Sequence, residues 1–290
     1  MQTPAPVDYA RATSIDHALQ LMEERGTDAR LIAGGHSLIP MMRLRIARPE
    51  CVIDMNDLAE LDYIRVEEGV LRIGAMTRHA ALLASPVVGE HYAIFHDAER
   101  RIADPPVRNR GTIGGSLCQG DPAEDLAAVA SALRADLVLR TSQGTRTVPA
   151  REFHLGPYET AIDDAEMLTE VRVPLRPGVS SAYEKVKRRA GDWAIASAGA
   201  YLVLRDGVVA DVGIGLTAVG APHFCAESAE VYLLGKAPTE EHLRATSQLA
   251  ADACTPRADQ RGPVEYKRHL AGELTLRVLR RSIERAEGSA

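Results

Sequence analysis

The run at 100–128, RRIADPPVRNRGTIGGSLCQGDPAEDLAA, concentrates residue types that bind anions through the backbone. Gly114 and Gly115, set between Thr112 and Ser116, let a main chain approach a ligand closely and turn several N–H groups towards it. Unpaired backbone donors of this kind can bind a pyrophosphate without a bulky side chain intervening. Asp121 and Asp125 follow, and Pro122 with the run 123–133 reads as a helix whose acidic first turn suits its positive end. A carboxylate there can accept hydrogen bonds from a ribose or another pair of hydroxyls. A second pair, Gly34 and Gly35, sits in Ala33-Gly34-Gly35-His36-Ser37 between an apolar segment at 29–33 and a candidate helix at 38–44. A strand that hands over to a helix through such a loop is again the geometry of an anion site.

These loops need a scaffold, and the sequence offers one. The run 14–25 reads as an amphipathic helix with Ser14 as its cap and Gly26 as its stop, and 51–54 reads as a further buried strand. Helix, strand, helix, strand within about fifty residues suggests a small α/β unit with parallel strands. The segments 63–66 and 70–73 flank Glu67-Glu68-Gly69 and read as a hairpin. Thr77 is expected to cap a helix reaching Leu83, a second helix is expected over 91–103, and Asp104-Pro105-Pro106 is expected to be a loop. The segments 136–141 and 145–149 pair as a hairpin across Gln143-Gly144, and 167–174 adds a strand, giving a mainly antiparallel middle unit with helices on one side. After a boundary at Arg176-Pro177-Gly178, strands are expected at 181–188, 197–204 and 208–217, then helices at 226–234, 239–253 and 265–286. The fold class is therefore α+β, in three units: 1–55, 56–176 and 177–290.

At 290 residues, 46% hydrophobic and 26% charged, the chain has ample material for two or three cores. A net charge of −6 argues against a nucleic-acid surface. The run Arg43, Arg45, Arg48 reads as a solvated or partner-facing helix side. Cys51, Cys118, Cys225 and Cys254 form no CxxC pair, which excludes the usual iron–sulfur and zinc spacings, so no metal site is assigned. The expectation is a soluble cytoplasmic chain with free thiols, no secretory signal and no apolar run near the ~20 residues that span a bilayer.

Gly213-Ile214-Gly215-Leu216-Thr217-Ala218 matches the G-x-G-x-x-A dinucleotide pattern. That fingerprint requires a helix to open at the second glycine, whereas here the extended apolar run continues to Val219 and Gly220-Ala221-Pro222 would interrupt a helix. The glycines are read as belonging to a plain β-strand.

With both glycine loops in order, the chain resembles the FAD-binding medium subunits of molybdenum hydroxylases, and most closely their aerobic carbon monoxide dehydrogenase branch. The residues that carry the resemblance are Ala33-Gly34-Gly35-His36-Ser37, Thr112-Ile113-Gly114-Gly115-Ser116 and Gly120-Asp121-Pro122 through Asp125-Leu126. Tyr183-Glu184-Lys185, Gly191-Asp192-Trp193-Ala194 and Arg261-Gly262-Pro263-Val264-Glu265-Tyr266 add weaker support.

The resemblance implies a PCMH-type (vanillyl-alcohol-oxidase-like) FAD-binding fold in two subdomains, followed by a C-terminal domain of a three-stranded antiparallel sheet with a helical cluster. It places the FAD pyrophosphate between the two loops. It also places Asp125 near the ribitol or ribose hydroxyls, and Lys185 and Ile162 near the flavin. Trp193 stands where relatives carry Tyr; it either lies against the flavin ring or is a domain-interface residue. His36 either donates to a phosphate or the flavin edge, or simply holds its loop.

No catalytic acid or base is assigned. The implied partners are a large subunit with molybdenum–molybdopterin cytosine dinucleotide (copper-linked in the carbon monoxide enzyme) and a small subunit with two [2Fe–2S] clusters, in a dimer of heterotrimers. Electrons would pass to a quinone-type acceptor, with any membrane contact made peripherally through the partners. Heterocycle dehydrogenases of the nicotine, quinoline or xanthine type, and a self-sufficient PCMH-type flavin oxidoreductase, are the alternative readings.

Overall fold

The computed structural model describes residues 3–288. The first unit alternates short strands and helices: β1 (Asp8–Arg11), α1 (Ile15–Arg25), β2 (Ala29–Ile32), α2 (Leu38–Arg43) and β3 (Cys51–Asp54). Its three strands are parallel, in the order β1-β3-β2. Ser14 caps α1 by accepting from the His17 N–H at 3.1 Å, and Ile15, Ala18 and Leu19 then face Ile53, Leu58 and Leu61. Strand β1 was not anticipated, because the mostly exposed Asp-Tyr-Ala-Arg carries no alternating apolar pattern; parallel pairing with β3 creates it.

The middle unit comprises β4 (Ile64–Glu67), β5 (Val70–Gly74), α3 (His79–Ala84), α4 (Pro86–His91), α5 (Ala93–Glu99), α6 (Pro105–Arg108), α7 (Ile113–Gln119), α8 (Asp125–Ala132), β6 (Asp136–Thr141), β7 (Gly144–Pro149), α9 (Ala150–Phe153), β8 (His154–Gly156), β9 (Glu159–Thr160) and β10 (Met167–Pro174). Five strands form an antiparallel sheet in the order β4-β5-β10-β6-β7.

Several local expectations are corrected. The helix expected over 91–103 covers only Ala93–Glu99, because Tyr92 takes a non-helical backbone (φ −145°, ψ 87°) that separates it from α4. The loop expected at Asp104-Pro105-Pro106 instead opens α6, with Asp104 accepting from the Val107 N–H at 2.9 Å. Thr77 caps nothing; its hydroxyl donates to the Tyr63 carbonyl at 3.0 Å, and α3 starts at His79.

The third unit is an antiparallel sheet of β11 (Val179–Val186), β12 (Ala196–Arg205) and β13 (Val208–Thr217), followed by α10 (Glu227–Leu233), α11 (Glu240–Asp252) and α12 (Val264–Gly288). Asp206 and Gly207 both take positive φ in the two-residue turn joining β12 to β13, as hairpin twist favours.

Both faces of this sheet are buried. Ala182, Ala200 and Leu202 join the core under α12, while Tyr183 and Tyr201 point the other way into the core of the middle unit. Gly213 and Gly215 make that second contact possible. A Cβ at these positions would lie 2.1 Å from the Ala132 carbonyl oxygen and 2.0 Å from that of Ala128, so the G-x-G is a notch into which α8 packs.

Candidate functional site

The carboxyl ends of β2 and β3 lie side by side, which is where ligands gather in α/β sheets. From β2 the chain enters Ala33-Gly34-Gly35-His36-Ser37. There the segment 110–116 of the middle unit meets it at van der Waals distance. A Cβ on Gly34 would lie 2.4 Å from the Arg110 carbonyl oxygen and 2.7 Å from the Gly111 Cα. On the same contact, a Cβ on Gly115 would sit 4.0 Å from the Ala33 methyl. Further along, Gln119 on α7 reaches the Met41 sulfur on α2 at 3.5 Å, so the helices leaving the two loops stay together.

Backbone donors are divided unequally between the two loops. Among the described residues, no acceptor meets the N–H groups of Gly34, Gly35, His36 and Ser37. The second loop differs from the expectation of unpaired donors. Ile113 N–H bonds the Thr77 carbonyl (3.0 Å), Gly114 the Ala75 carbonyl (2.9 Å), Ser116 the Thr112 carbonyl (3.0 Å) and Gly115 the Thr112 hydroxyl (3.0 Å). These residues start α7, and Gly114 is required because a Cβ would press 2.7 Å from both the Ala75 methyl and the Ala75 carbonyl oxygen. The first loop supplies the donors, while the second supplies a rigid wall.

Asn56, two residues beyond β3, joins the two loops. Its side-chain N–H donates to the Ala33 carbonyl at 3.0 Å and to Asp54. Its oxygen accepts from Arg78 at 2.8 Å and from Arg110 at 3.2 Å, and Arg78 also donates to the Arg110 carbonyl at 2.5 Å. Burial and the neighbouring Arg110 charge both disfavour the protonated Arg78 and lower its pKa. The sequence reading missed Asn56, Arg78 and Arg110. The available signal was the position of Asn56 at the carboxyl end of a parallel strand.

Behind α7 lies a set of buried polar side chains. Thr112 caps α7, and Ser116 donates to Glu124, whose carboxyl burial pushes up to about 8. His79 and Glu99 face each other at 3.1 Å; burial holds the Glu99 carboxyl above its ordinary value. Asp125 and Lys185 form an ion pair at 2.6 Å with side chains 5% and 2% exposed, and the Tyr183 hydroxyl donates to the other Asp125 oxygen. Each Asp125 oxygen accepts one hydrogen bond from the third unit and keeps a further lone pair.

The remaining expected residues lie further out. Ile162 follows β9 and is half-buried against the middle core; His154, on the strand paired with β9, meets the Leu117 carbonyl at 3.0 Å. Trp193 is 41% exposed on the connection from β11 to β12. That connection leans on the middle unit, with Lys187 bonding the Arg101 carbonyl at 3.0 Å and Gly191 beside Ala103. His36 is exposed on its loop.

Residues 5–176 match the family described as the FAD binding domain in molybdopterin dehydrogenase, and residues 181–282 match the CO dehydrogenase flavoprotein C-terminal domain. The chain belongs to this family of FAD-binding molybdopterin dehydrogenase chains. It is 42% identical to the carbon monoxide dehydrogenase medium chain of Hydrogenophaga pseudoflava, over 95% of this chain and 96% of that one. The solved carbon monoxide dehydrogenase of that organism, in a form lacking the Mo-pyranopterin moiety, superposes with a TM-score of 0.95 at 43% identity, over 98% of this chain and 99% of the other. Quinoline 2-oxidoreductase from Pseudomonas putida 86 follows with a TM-score of 0.91 at 31% identity, each chain covered to 99%. The FAD-binding assignment and the α+β architecture with a separate C-terminal flavoprotein domain stand on these matches. No helix among the described residues is long and apolar enough to cross a membrane.

Proposed function

We propose that this chain is the FAD-carrying electron-transfer subunit of an aerobic carbon monoxide dehydrogenase, built as the units 1–55, 56–176 and 177–290. The observation that carries the binding site is the row of four unpaired N–H groups at Gly34–Ser37, walled by Gly111–Ser116. Such donors match the oxygens of a diphosphate, and the contact at Gly34 leaves no room for a side chain between the loops.

Bound FAD supplies two-electron chemistry that can also proceed one electron at a time. The protein's own part is to hold and orient. Gly34, Gly35, His36 and Ser37 receive the diphosphate, and Ala33, Thr112, Gly114, Gly115 and Ser116 shape the slot around it. Asp125 offers its free lone pairs to hydroxyls, while Ile162, Lys185 and Trp193 border the ring. On this reading electrons arrive from [2Fe–2S] clusters of a small subunit, after a large molybdenum–copper subunit has oxidised carbon monoxide. They leave to a quinone-type acceptor. The assembly is a dimer of heterotrimers in the cytoplasm, and four unpaired thiols fit a reducing compartment. Greater likeness to the carbon monoxide enzyme than to the quinoline enzyme supports the choice of substrate.

The test is a tagged pull-down from the native host, followed by a visible spectrum, metal analysis and addition of carbon monoxide. Flavin absorbance with iron, molybdenum and two co-purifying subunits, bleached by carbon monoxide, is the expected result. Bleaching only by a heterocycle moves the substrate to the quinoline or nicotine class. A lone yellow protein points to a self-sufficient flavoenzyme, and a colourless protein with partners present overturns the FAD site.

A further inference from the structure

We infer that Asn56 is a positioning residue for the flavin nucleotide: it fixes the Ala33–Gly34 peptide so that the Gly34 N–H faces the diphosphate. The inference rests on the reading of the two loops as the diphosphate cradle. In a trans peptide the C=O and the following N–H point in opposite directions. Because Asn56 anchors the Ala33 carbonyl at 3.0 Å, the Gly34 N–H is turned to the other side, where no acceptor among the described residues meets it. Without that anchor the peptide can rotate, since Gly34 has no side chain to resist it. A rotated peptide would present carbonyl lone pairs to an anion in place of a donor.

The orientation of the Asn56 amide is itself determined. Arg78 and Arg110 have only donors to offer, so the oxygen of Asn56 must face them and its N–H must face Ala33 and Asp54. Asp54 adds a second fixed point by accepting from the Asn56 backbone N–H at 2.9 Å and from the Tyr9 hydroxyl at 2.7 Å. Arg110 belongs to the second loop, so one side chain sets the peptide of the first loop and ties it to the second. Among the described residues neither guanidinium forms a direct ion pair, and the Asp54 and Asp62 carboxylates offset part of the Arg78 charge from a distance.

The experiment titrates FAD and riboflavin, which lacks the diphosphate, into the flavin-stripped complex carrying Asn56→Leu or Asn56→Asp. Asn56→Leu removes both functions. Asn56→Asp keeps an acceptor for both arginines, loses the donors to Ala33 and Asp54 and sets a second carboxylate beside Asp54, so its loss is read against Asn56→Leu, which adds no charge. The expected result is a loss of FAD affinity of about ten- to hundred-fold in both variants, the scale of a misdirected hydrogen bond to a charged group, with riboflavin affinity little changed in either and the melting temperature little changed in Asn56→Leu.

Equal losses for FAD and riboflavin would mean general loosening of the site and would overturn the inference. So would an Asn56→Asp variant that binds FAD like the wild type. If Asn56→Leu does not fold, Asn56→Ala, which removes the donor without adding charge, takes its place in the titration. Gly34→Ala serves as the separate control: if it leaves FAD binding intact, the cradle reading itself fails, whatever Asn56 does.

Discussion

Asp125 and Lys185 can be separated into a structural and a cofactor role by a double-mutant cycle in the flavin-free chain. The pair is nearly sealed from water, at 2.6 Å, and links the first turn of α8 to β11. Asp125→Asn leaves a buried ammonium without its counter-charge, and Lys185→Met leaves a buried carboxylate supported by Tyr183 alone. Either change should cost about 3–5 kcal/mol, because an uncompensated charge is far costlier than an absent pair. The double variant removes both charges and should cost little more than one single, giving a coupling energy of about 2–4 kcal/mol. Urea denaturation followed by circular dichroism supplies the free energies. Fluorescence of Trp193, the lone tryptophan, reports locally on the β11–β12 connection. Additive singles, or singles that leave the flavin-free chain unaffected while weakening FAD, would refute the view that this pair clamps the third unit to the second.

Glu124 should make stability fall with rising pH. Its carboxyl sits at about 8, so the folded state holds a proton that the unfolded state has released. This contribution is complete below the ordinary carboxylate range and is lost as pH rises towards 8, at about 1.4 kcal/mol per pH unit. Glu124→Gln should remove roughly 2–3 kcal/mol of the difference between pH 5.5 and 7.5 in denaturant titrations, and an unchanged slope would assign the titration elsewhere. Gly215→Ala forces α8 off β13 and should lower the melting temperature by roughly 5 °C or more, whereas an unchanged melt would contradict the packing notch. Gly34→Ala separates the loops and should weaken FAD binding by about tenfold to a hundredfold, read by quenching of flavin fluorescence.

Local signals in the sequence were legible wherever apolar spacing and caps agreed. The helix at α1, the hairpin β4–β5, all three strands of the third unit and the Asp206-Gly207 turn follow from patterns within a dozen residues. Position of the two glycine loops was equally readable, because only glycine tolerates the close approach at Gly34 and Gly114. The division of labour between them was not. Whether a backbone N–H is free depends on what lies opposite, and the carbonyls of Ala75 and Thr77 that occupy Ile113 and Gly114 come from a segment more than thirty residues away. Asn56, Arg78 and Arg110 were missed for the same reason: each looks like an ordinary surface polar residue until β3 and the second loop are brought together. Tyr92 shows the converse, an apolar residue whose pattern continued a helix that its backbone interrupts.

The sheet β11-β12-β13 is a wall shared by two cores, and it makes the boundary at Arg176-Pro177-Gly178 a seam in sequence only. Cutting the chain there would leave one fragment with a bare tyrosine-bearing sheet face and the other with the outer side of α5 and α8 uncovered. Neither piece is a free-standing module that could be moved alone into another assembly. A transplant that keeps function has to carry the glycine loops and the C-terminal sheet together, so the flavin slot and its third unit are inherited as one block.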